Sequence, residues 1–158
     1  MLAFDASSII YAWDNYPENQ FPGLWKWIGG QISSGLVVMP LVAFEETSAK
    51  SPDCGRWLKA VSLGILHPNT EILKRAAGLK DLLGIEGSRY GIGVGENDLI
   101  IIATAEINGA SLVSNEAIQK SLPISLPKYK IPAVCALKKP PTQVMDFLGF
   151  IKGSGAQF

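Results

Sequence analysis

The chain alternates between short apolar runs and longer segments in which apolar residues recur every three or four positions. Short runs at 1–4, 36–39 and 111–114 predict buried strands, and the run at 131–135 predicts a further one. Strands that alternate with helices predict an α/β fold. We expect a three-layer α/β/α sandwich around a central parallel sheet of about four to five strands, because such a sheet is buried on both faces.

The segments between these runs have the apolar spacing of helices that bury one face. One segment is ambiguous, because 98–107 contains three consecutive isoleucines, which favour a strand. Asn97 or Asp98 ahead of it and Gly109 behind it are typical of helix ends, so a buried helix is predicted there. The predicted helices cover 9–13, 24–32, a segment from 40 onward, 53–63, 69–83 and 98–107.

Composition indicates one folded domain. The chain has 158 residues, 47% of them hydrophobic and only 18% charged, which allows a substantial core. We assign residues 1–152 to that domain and predict a flexible tail at 153–158. The formal net charge is zero, which argues against a protein that reads a DNA groove. It argues less against a nuclease, whose acidic metal site cancels part of a basic surface.

Cysteine and histidine usage excludes several kinds of site. Cys54 and Cys135 have no metal-binding spacing and predict two buried thiols, and the single His67 excludes zinc sites built on several histidines. No signal peptide and no membrane-spanning segment is recognisable, so we expect a cytoplasmic protein without a membrane partner.

Four carboxylates follow predicted strands or begin a predicted helix. Asp5 ends the first strand, and Glu116 stands two residues beyond the third. Asp98 begins the apolar helix, and Glu45 lies in the helix after the second strand. Because ligands bind at the carboxyl ends of parallel strands, we expect these acids to gather at one edge of the sheet.

Clustered carboxylates repel one another unless they take up protons or a cation. Mg²⁺ or Mn²⁺ would suit such a cluster, because hard divalent ions prefer oxygen ligands. A metal-bound water then supplies a nucleophile for attack on a phosphoryl group. The pattern therefore predicts a metal site that needs no cysteine, histidine or lysine nucleophile.

Four motifs resemble those of PIN domains, over roughly residues 1–135. They are 4–10 (FDASSII), 40–45 (PLVAFE), 96–105 (ENDLIIIATA) and 112–116 (LVSNE). Segments 21–27 and 131–135 are similar to a prokaryotic PIN-like subgroup often regarded as toxins. Glu116 departs from the usual Asp, which lengthens the side chain by one methylene and favours coordination through water.

The resemblance implies a Mg²⁺- or Mn²⁺-dependent endoribonuclease that is neutralised by a cognate antitoxin protein. It assigns the metal-binding and catalytic roles to Asp5, Glu45, Asp98 and Glu116, with Ser7 and Ser114 in support. RNA attraction would fall to local lysines, namely Lys128, Lys130, Lys138 and Lys139. A small apolar domain with four tryptophans also fits a homodimer, although we expect those side chains mainly in the core.

Alternatives remain open at the level of single residues and of function. Glu45 and Glu46 cannot both face one site, and Glu45 is favoured because apolar Leu41 and Val42 lie one turn before it. Asp5 and Asp98 have alternative roles as helix caps, and Glu116 as an acid early in a helix. An inert PIN-like scaffold that binds RNA or a partner is the second functional hypothesis. A haloacid-dehalogenase-like phosphatase is disfavoured, because Ser7 stands where its second Asp is needed.

Overall fold

A computed structural model describes residues 1–158, and its strands form one five-stranded parallel sheet. In chain order the strands are β1 (Leu2–Phe4), β2 (Val37–Pro40), β3 (Gly64–Leu66), β4 (Ser111–Val113) and β5 (Val144–Met145). They lie in the order β3-β2-β1-β4-β5, so β1 is central. Ala3 pairs with Val38 of β2 on one side and with Leu112 of β4 on the other.

Eight α-helices flank this sheet, and the predicted three-layer α/β/α class is confirmed. They are α1 (Ala6–Asn15), α2 (Pro22–Ser33), α3 (Leu41–Lys50), α4 (Pro52–Ala60), α5 (Thr70–Leu82), α6 (Glu96–Ile107), α7 (Ile131–Leu137) and α8 (Phe147–Ser154). A short 3-10 turn at Leu126–Lys128 precedes α7. No helix combines the length and the apolar character that crossing a bilayer requires.

Helix α6 confirms the helical interpretation of the isoleucine-rich segment. Its central part is buried, with Ile101 and Ile102 fully inaccessible to solvent. Burying each such side chain contributes roughly 1.5–3 kcal/mol, which outweighs the weak helix propensity of isoleucine. Gly109 follows the helix with a φ of 61°, the left-handed conformation that commonly ends a helix.

The strand predicted at 131–135 is wrong, because these residues begin helix α7. Pro132 occupies its first turn, where a missing N–H costs nothing. Ile131, Val134 and Cys135 are spaced for one helical face and are all buried. The fifth strand is instead Val144–Met145, which pairs with β4. Strand β3 follows α4 and was not anticipated by the apolar pattern.

Aromatic side chains pack the helices together, as expected for the tryptophans. The Trp25 ring centroid lies 5.0 Å from that of Trp13 and 4.8 Å from that of Trp57. Trp27 packs against Phe150 and against the last residue, Phe158, with centroids 5.0 and 5.2 Å away. Helix α8 extends to Ser154, so the first two residues of the predicted tail are helical.

The two cysteines are buried and unpaired, as predicted. Burial raises the pKa of both the Cys54 and the Cys135 thiol to about 12, because the thiolate would lose its hydration. Both side chains therefore act as small core residues.

Candidate functional site

The carboxyl ends of β1 and β4 place two polar residues side by side. Asp5 directly follows β1, and Ser114 directly follows β4. The parallel register pairs Phe4 with Val113, so the two residues that follow these leave adjacent strands at the same level. We call the side chains gathered at this point the acidic edge, which consists of Asp5, Glu46, Asp98 and Glu116.

Asp5 is held by two serine hydroxyls. Its Oδ2 accepts hydrogen bonds from Ser7 Oγ at 2.5 Å and from Ser114 Oγ at 2.9 Å. The side chain is almost fully buried. Burial raises the pKa of Asp5, the two hydroxyl bonds partly oppose this, and the charge of Glu46 raises the pKa further. The fold therefore holds this carboxyl in a buried position, where the charged form is destabilised by the loss of hydration.

The same hydroxyls connect Asp5 to the loop that follows β4. Ser7 Oγ accepts the backbone N–H of Asn115 at 2.9 Å, and Ser114 Oγ accepts that of Glu116 at 3.3 Å. Each serine thus donates to the carboxylate and accepts from the loop. Ser7 and Ser114, the residues predicted in support, thus both contact Asp5.

Asp98 is the third residue of α6, and its side chain is half-buried. Its Oδ2 accepts the backbone N–H of Gly95 at 2.8 Å, which caps the helix. Burial raises the pKa of Asp98 to about 6, the Gly95 bond opposes the rise, and three neighbouring carboxylates add to it. In order of their effect, those neighbours are Glu116, Asp5 and Glu46.

Glu116 lies in an irregular loop, so its alternative role as an acid early in a helix does not apply. Its Oε2 accepts the backbone N–H of Ile131 at 3.0 Å, at the start of α7. This bond ties the loop after β4 to a helix that the sequence did not predict. Glu116 therefore has a structural partner and also acts electrostatically on Asp98.

The prediction that Glu45 faces the other acids is wrong, because it is exposed and Glu46 turns toward them. Helix α3 buries Ala43 and Thr47. Successive helical residues are about 100° apart, so Glu45 points nearly opposite to Ala43, whereas Glu46 lies about 60° from it. Leu41 and Val42, on which the prediction relied, are only half-buried.

A lysine accompanies the acids, and no sequence pattern singled it out. Lys50 Nζ forms an ion pair with Glu46 Oε1, one turn along α3. The hydrogen bond to Glu46 raises the pKa of Lys50, burial opposes the rise, and the charges of Glu46, Asp5 and Asp98 add to it. Lys50 thus places a partly exposed positive charge beside the acidic edge. An acid and a lysine four residues apart on a predicted helix were the available signal.

The oxygen atoms of the acidic edge are of the type that a hard divalent cation prefers, but they do not form a complete coordination site. All of them are carboxylate or hydroxyl oxygens, which Mg²⁺ and Mn²⁺ prefer. No group of three or more His, Cys, Asp or Glu side chains is arranged to hold a metal ion. Asp98 and Glu116 each bond a backbone N–H through one oxygen, and Glu46 is paired with Lys50.

The lysines proposed to attract RNA do not form one group. Lys138 is fully buried and donates to the Pro140 carbonyl, so it cannot contact a nucleic acid. The apolar pattern gave no reason to expect a buried lysine there. Lys128 and Lys139 are exposed, and Lys130 is half-buried.

Comparison with known proteins places the chain in a family defined by sequence. No curated protein matches it. Residues 2–158 match the family described as "Domain of unknown function (DUF4411)". Since that match spans all but the first residue, the protein belongs to the DUF4411 family.

Proposed function

We propose that the protein is a divalent-metal-dependent endoribonuclease with a PIN-like active site at the acidic edge. One observation carries the proposal. Three further carboxylates act electrostatically on the Asp98 carboxyl, and burial together with their charge raises its pKa to about 6. A fold that gathers negative charge in this way invites a cation that offsets it.

Asp5 and Asp98 would hold the cation, with Glu46 and Glu116 as further ligands. When bound, it would supply a polarised water for attack and would stabilise charge on the phosphoryl oxygens. Ser7 and Ser114 orient the Asp5 carboxylate by occupying its Oδ2. Lys50 offers a positive charge to a phosphate near the same carboxylates.

The loose arrangement of the acids is compatible with Mg²⁺. This ion usually keeps several waters and binds proteins through only one or two carboxylates. Glu116, one methylene longer than the Asp of the motif it resembles, suits coordination through such a water. Glu46 would have to release its ion pair with Lys50 to bind the ion directly.

An RNA cleavage assay tests the proposal. Purified protein should cut RNA with Mn²⁺ or Mg²⁺ and stop when a chelator is added. Asp5→Asn should lose roughly a hundredfold or more in rate, because it removes a charge that positions the metal. Equal cleavage by wild type and Asp5→Asn would show that the activity comes from another site or a contaminant.

Two neighbouring variants in the same assay form a matched pair. Glu46→Gln should lose most of the cleavage, and Glu45→Gln should retain it, because only Glu46 faces the acids. Both variants replace one glutamate of α3 by glutamine, so they have the same net charge and composition. They differ only in whether the carboxylate removed is the one that faces the other acids. If Glu45→Gln is the inactive variant, the assignment of the acidic edge to Glu46 fails.

The inert PIN-like scaffold is the second candidate, and one observation favours it. Glu116 already has a structural partner at α7, and no three acidic side chains form a finished metal group. Under this reading RNA or a protein partner binds without being cut. Metal-independent RNA binding together with no cleavage in any divalent ion would support the scaffold over the nuclease.

We further propose that the ribonuclease is a toxin, and the support is the resemblance of its motifs to those of prokaryotic PIN-like toxins. Such a protein would act on cytoplasmic RNA and be neutralised by an antitoxin encoded beside it. Expression of the wild type should then arrest growth, and expression of Asp5→Asn should not. Relief of that arrest by the product of a short neighbouring reading frame would identify the antitoxin.

A further inference from the structure

A cavity of about 530 Å³ opens directly beside the acidic edge, and Glu116 forms part of its wall. The loop after β4 lines one side, and the starts of α7 and α8 line the other. Its volume falls within the range of small-molecule sites in proteins, roughly 300–1,000 Å³. A ligand bound there would lie next to any group held by the acids.

The cavity wall combines apolar surface with a few polar groups. Pro132, Val144 and Met145 supply a flat apolar side, and Ile118 adds a further, largely exposed one. Asp146 also lines the cavity, but its Oδ1 accepts the backbone N–H of Gly149 and caps α8. This mixture suits a ligand with an apolar face and polar edges.

Asn115 presents a fixed hydrogen-bond donor in this cavity. Its Oδ1 accepts the backbone N–H of Phe147 at 2.9 Å, which sets the orientation of the amide. The Nδ2 group makes no hydrogen bond within the chain, although the residue is half-buried. A ligand acceptor atom would satisfy a donor that the fold has already oriented.

Lys120 provides a positive charge at the same cavity. It lines the wall, is exposed, and has no carboxylate within ion-pairing distance. A phosphate is the natural partner of such an uncommitted ammonium group.

From these features we propose that the cavity binds one unpaired nucleotide of the RNA, next to the scissile phosphate. The base would lie against Pro132 and Met145 with an acceptor facing Asn115, and a phosphate would contact Lys120. Because recognition of a base edge and face needs an unstacked nucleotide, the substrate class is single-stranded RNA. This inference rests on the proposed nuclease function and deepens it.

Mononucleotide binding tests the cavity without requiring any cleavage. Uridine and adenosine 5′-monophosphate, added to isotope-labelled protein in chelator, should shift the amide signals of Asn115, Ile118 and Lys120 saturably. Ribose 5-phosphate and inorganic phosphate are the matched controls without a base. The absence of any shift would overturn the proposal, because the cavity would then bind no nucleotide. Equal shifts from the controls would also overturn it, because the cavity would then bind an anion only.

Two variants separate the base contact from the phosphate contact. Asn115→Asp keeps the acceptor for Phe147 but replaces the free donor, so it should abolish the nucleotide shifts, whereas Asn19→Asp in an exposed loop should not. Lys120→Gln should raise KM for a single-stranded hexanucleotide about tenfold, equivalent to ~1.4 kcal/mol, with kcat nearly unchanged. The exposed Lys74→Gln, on α5, should leave KM as it is.

The outcomes distinguish this proposal from the nuclease itself. Nucleotide shifts in a protein that cuts no RNA would support the cavity and remove the proposed reaction. Cleavage that is unaffected by Lys120→Gln, without nucleotide shifts, would overturn the cavity and leave the nuclease in place.

Discussion

Helix α6 carries a perturbed carboxylate at each end, and the two are perturbed in opposite directions. Asp98 at its start and Glu106 near its end are eight residues apart, about 12 Å along the axis. The pKa of Asp98 is raised to about 6, whereas that of Glu106 is lowered. The helix macrodipole would favour the opposite result, since it stabilises negative charge at the N-terminus.

The neighbours of each carboxylate explain the reversal. Glu106 Oε2 accepts hydrogen bonds from Arg75 Nε at 2.8 Å and lies 3.1 Å from Lys138 Nζ. Burial raises the pKa of Glu106, but these two cations outweigh it. Asp98 has only one backbone donor and three negative neighbours. Local charge and solvation therefore dominate over the helix dipole at both ends.

The contrast shows that this fold can neutralise a carboxylate internally and does so at only one end of α6. The group of Arg75, Glu106 and the buried Lys138 joins α5, α6 and the segment after α7. The acidic edge keeps one cation, Lys50, for four carboxylates. Uncompensated charge that costs stability is a mark of functional sites.

The largest expected effect on stability comes from removing a cation at the Glu106 end of α6. Lys138→Met should lower the free energy of unfolding by about 3–5 kcal/mol, because it leaves the mostly buried Glu106 side chain with one cation and the Pro140 carbonyl without its donor. Denaturant unfolding measures this, with the exposed Lys139→Met as the control within ~0.5 kcal/mol. A loss below ~1 kcal/mol for Lys138→Met would show that the buried group is not a structural clamp.

At the Asp98 end of α6 we expect a smaller effect on stability, and of opposite sign. Because the pKa of Asp98 rises from 3.8 to about 6 on folding, the native state binds its proton more tightly than the unfolded chain. The stability contributed by this group is therefore lost as the pH rises from about 4 to above 6. The pKa difference corresponds to up to about 3 kcal/mol at neutral pH.

Asp98→Asn removes that penalty and retains an acceptor for the Gly95 N–H. We expect the variant to be more stable than the wild type at pH 8 and nearly equal to it at pH 4, by denaturant unfolding at both values. Glu96→Gln, an exposed change in the same helical turn, should show no such difference. A variant that is destabilised at pH 8 would refute the repulsion at the acidic edge.

The smallest expected effect is the response to metal. A cation that binds only the folded protein stabilises it by about 1.4 kcal/mol at ten times its Kd. Mn²⁺ should therefore raise the Tm of the wild type at pH 8 and leave that of Asp98→Asn almost unchanged. Equal shifts in both proteins would mean that the ion binds away from the acidic edge.

Much of the acidic edge was predictable because its elements are defined locally. Asp5 follows a short apolar run, and Asp98 stands between a glycine-rich loop and an apolar segment with helix-end residues. Such signals depend on neighbours within a few positions, and Asp5 directly follows β1 while Asp98 lies in the first turn of α6. The fold class followed in the same way from the alternation of strands and helices.

The secondary-structure predictions failed where contacts with distant parts of the chain determine the conformation. The segment 131–135 is as apolar as a strand, and the carboxylate that accepts the first N–H of its helix belongs to Glu116, in the loop after β4. The two-residue strand β5 exists only because β4 offers it an edge to pair with. Neither partner can be identified from the pattern near these residues.

The sequence by itself determined the α/β class, three of the strands and most of the helices, because periodicity and helix ends are local properties. The tertiary structure decided the direction of single side chains. It turned Glu46 rather than Glu45 inward, since the rotation of α3 is set by which face packs at Ala43 and Thr47. It also buried Lys138 beside Glu106, a charge that stays inside only because distant residues bring it two partners.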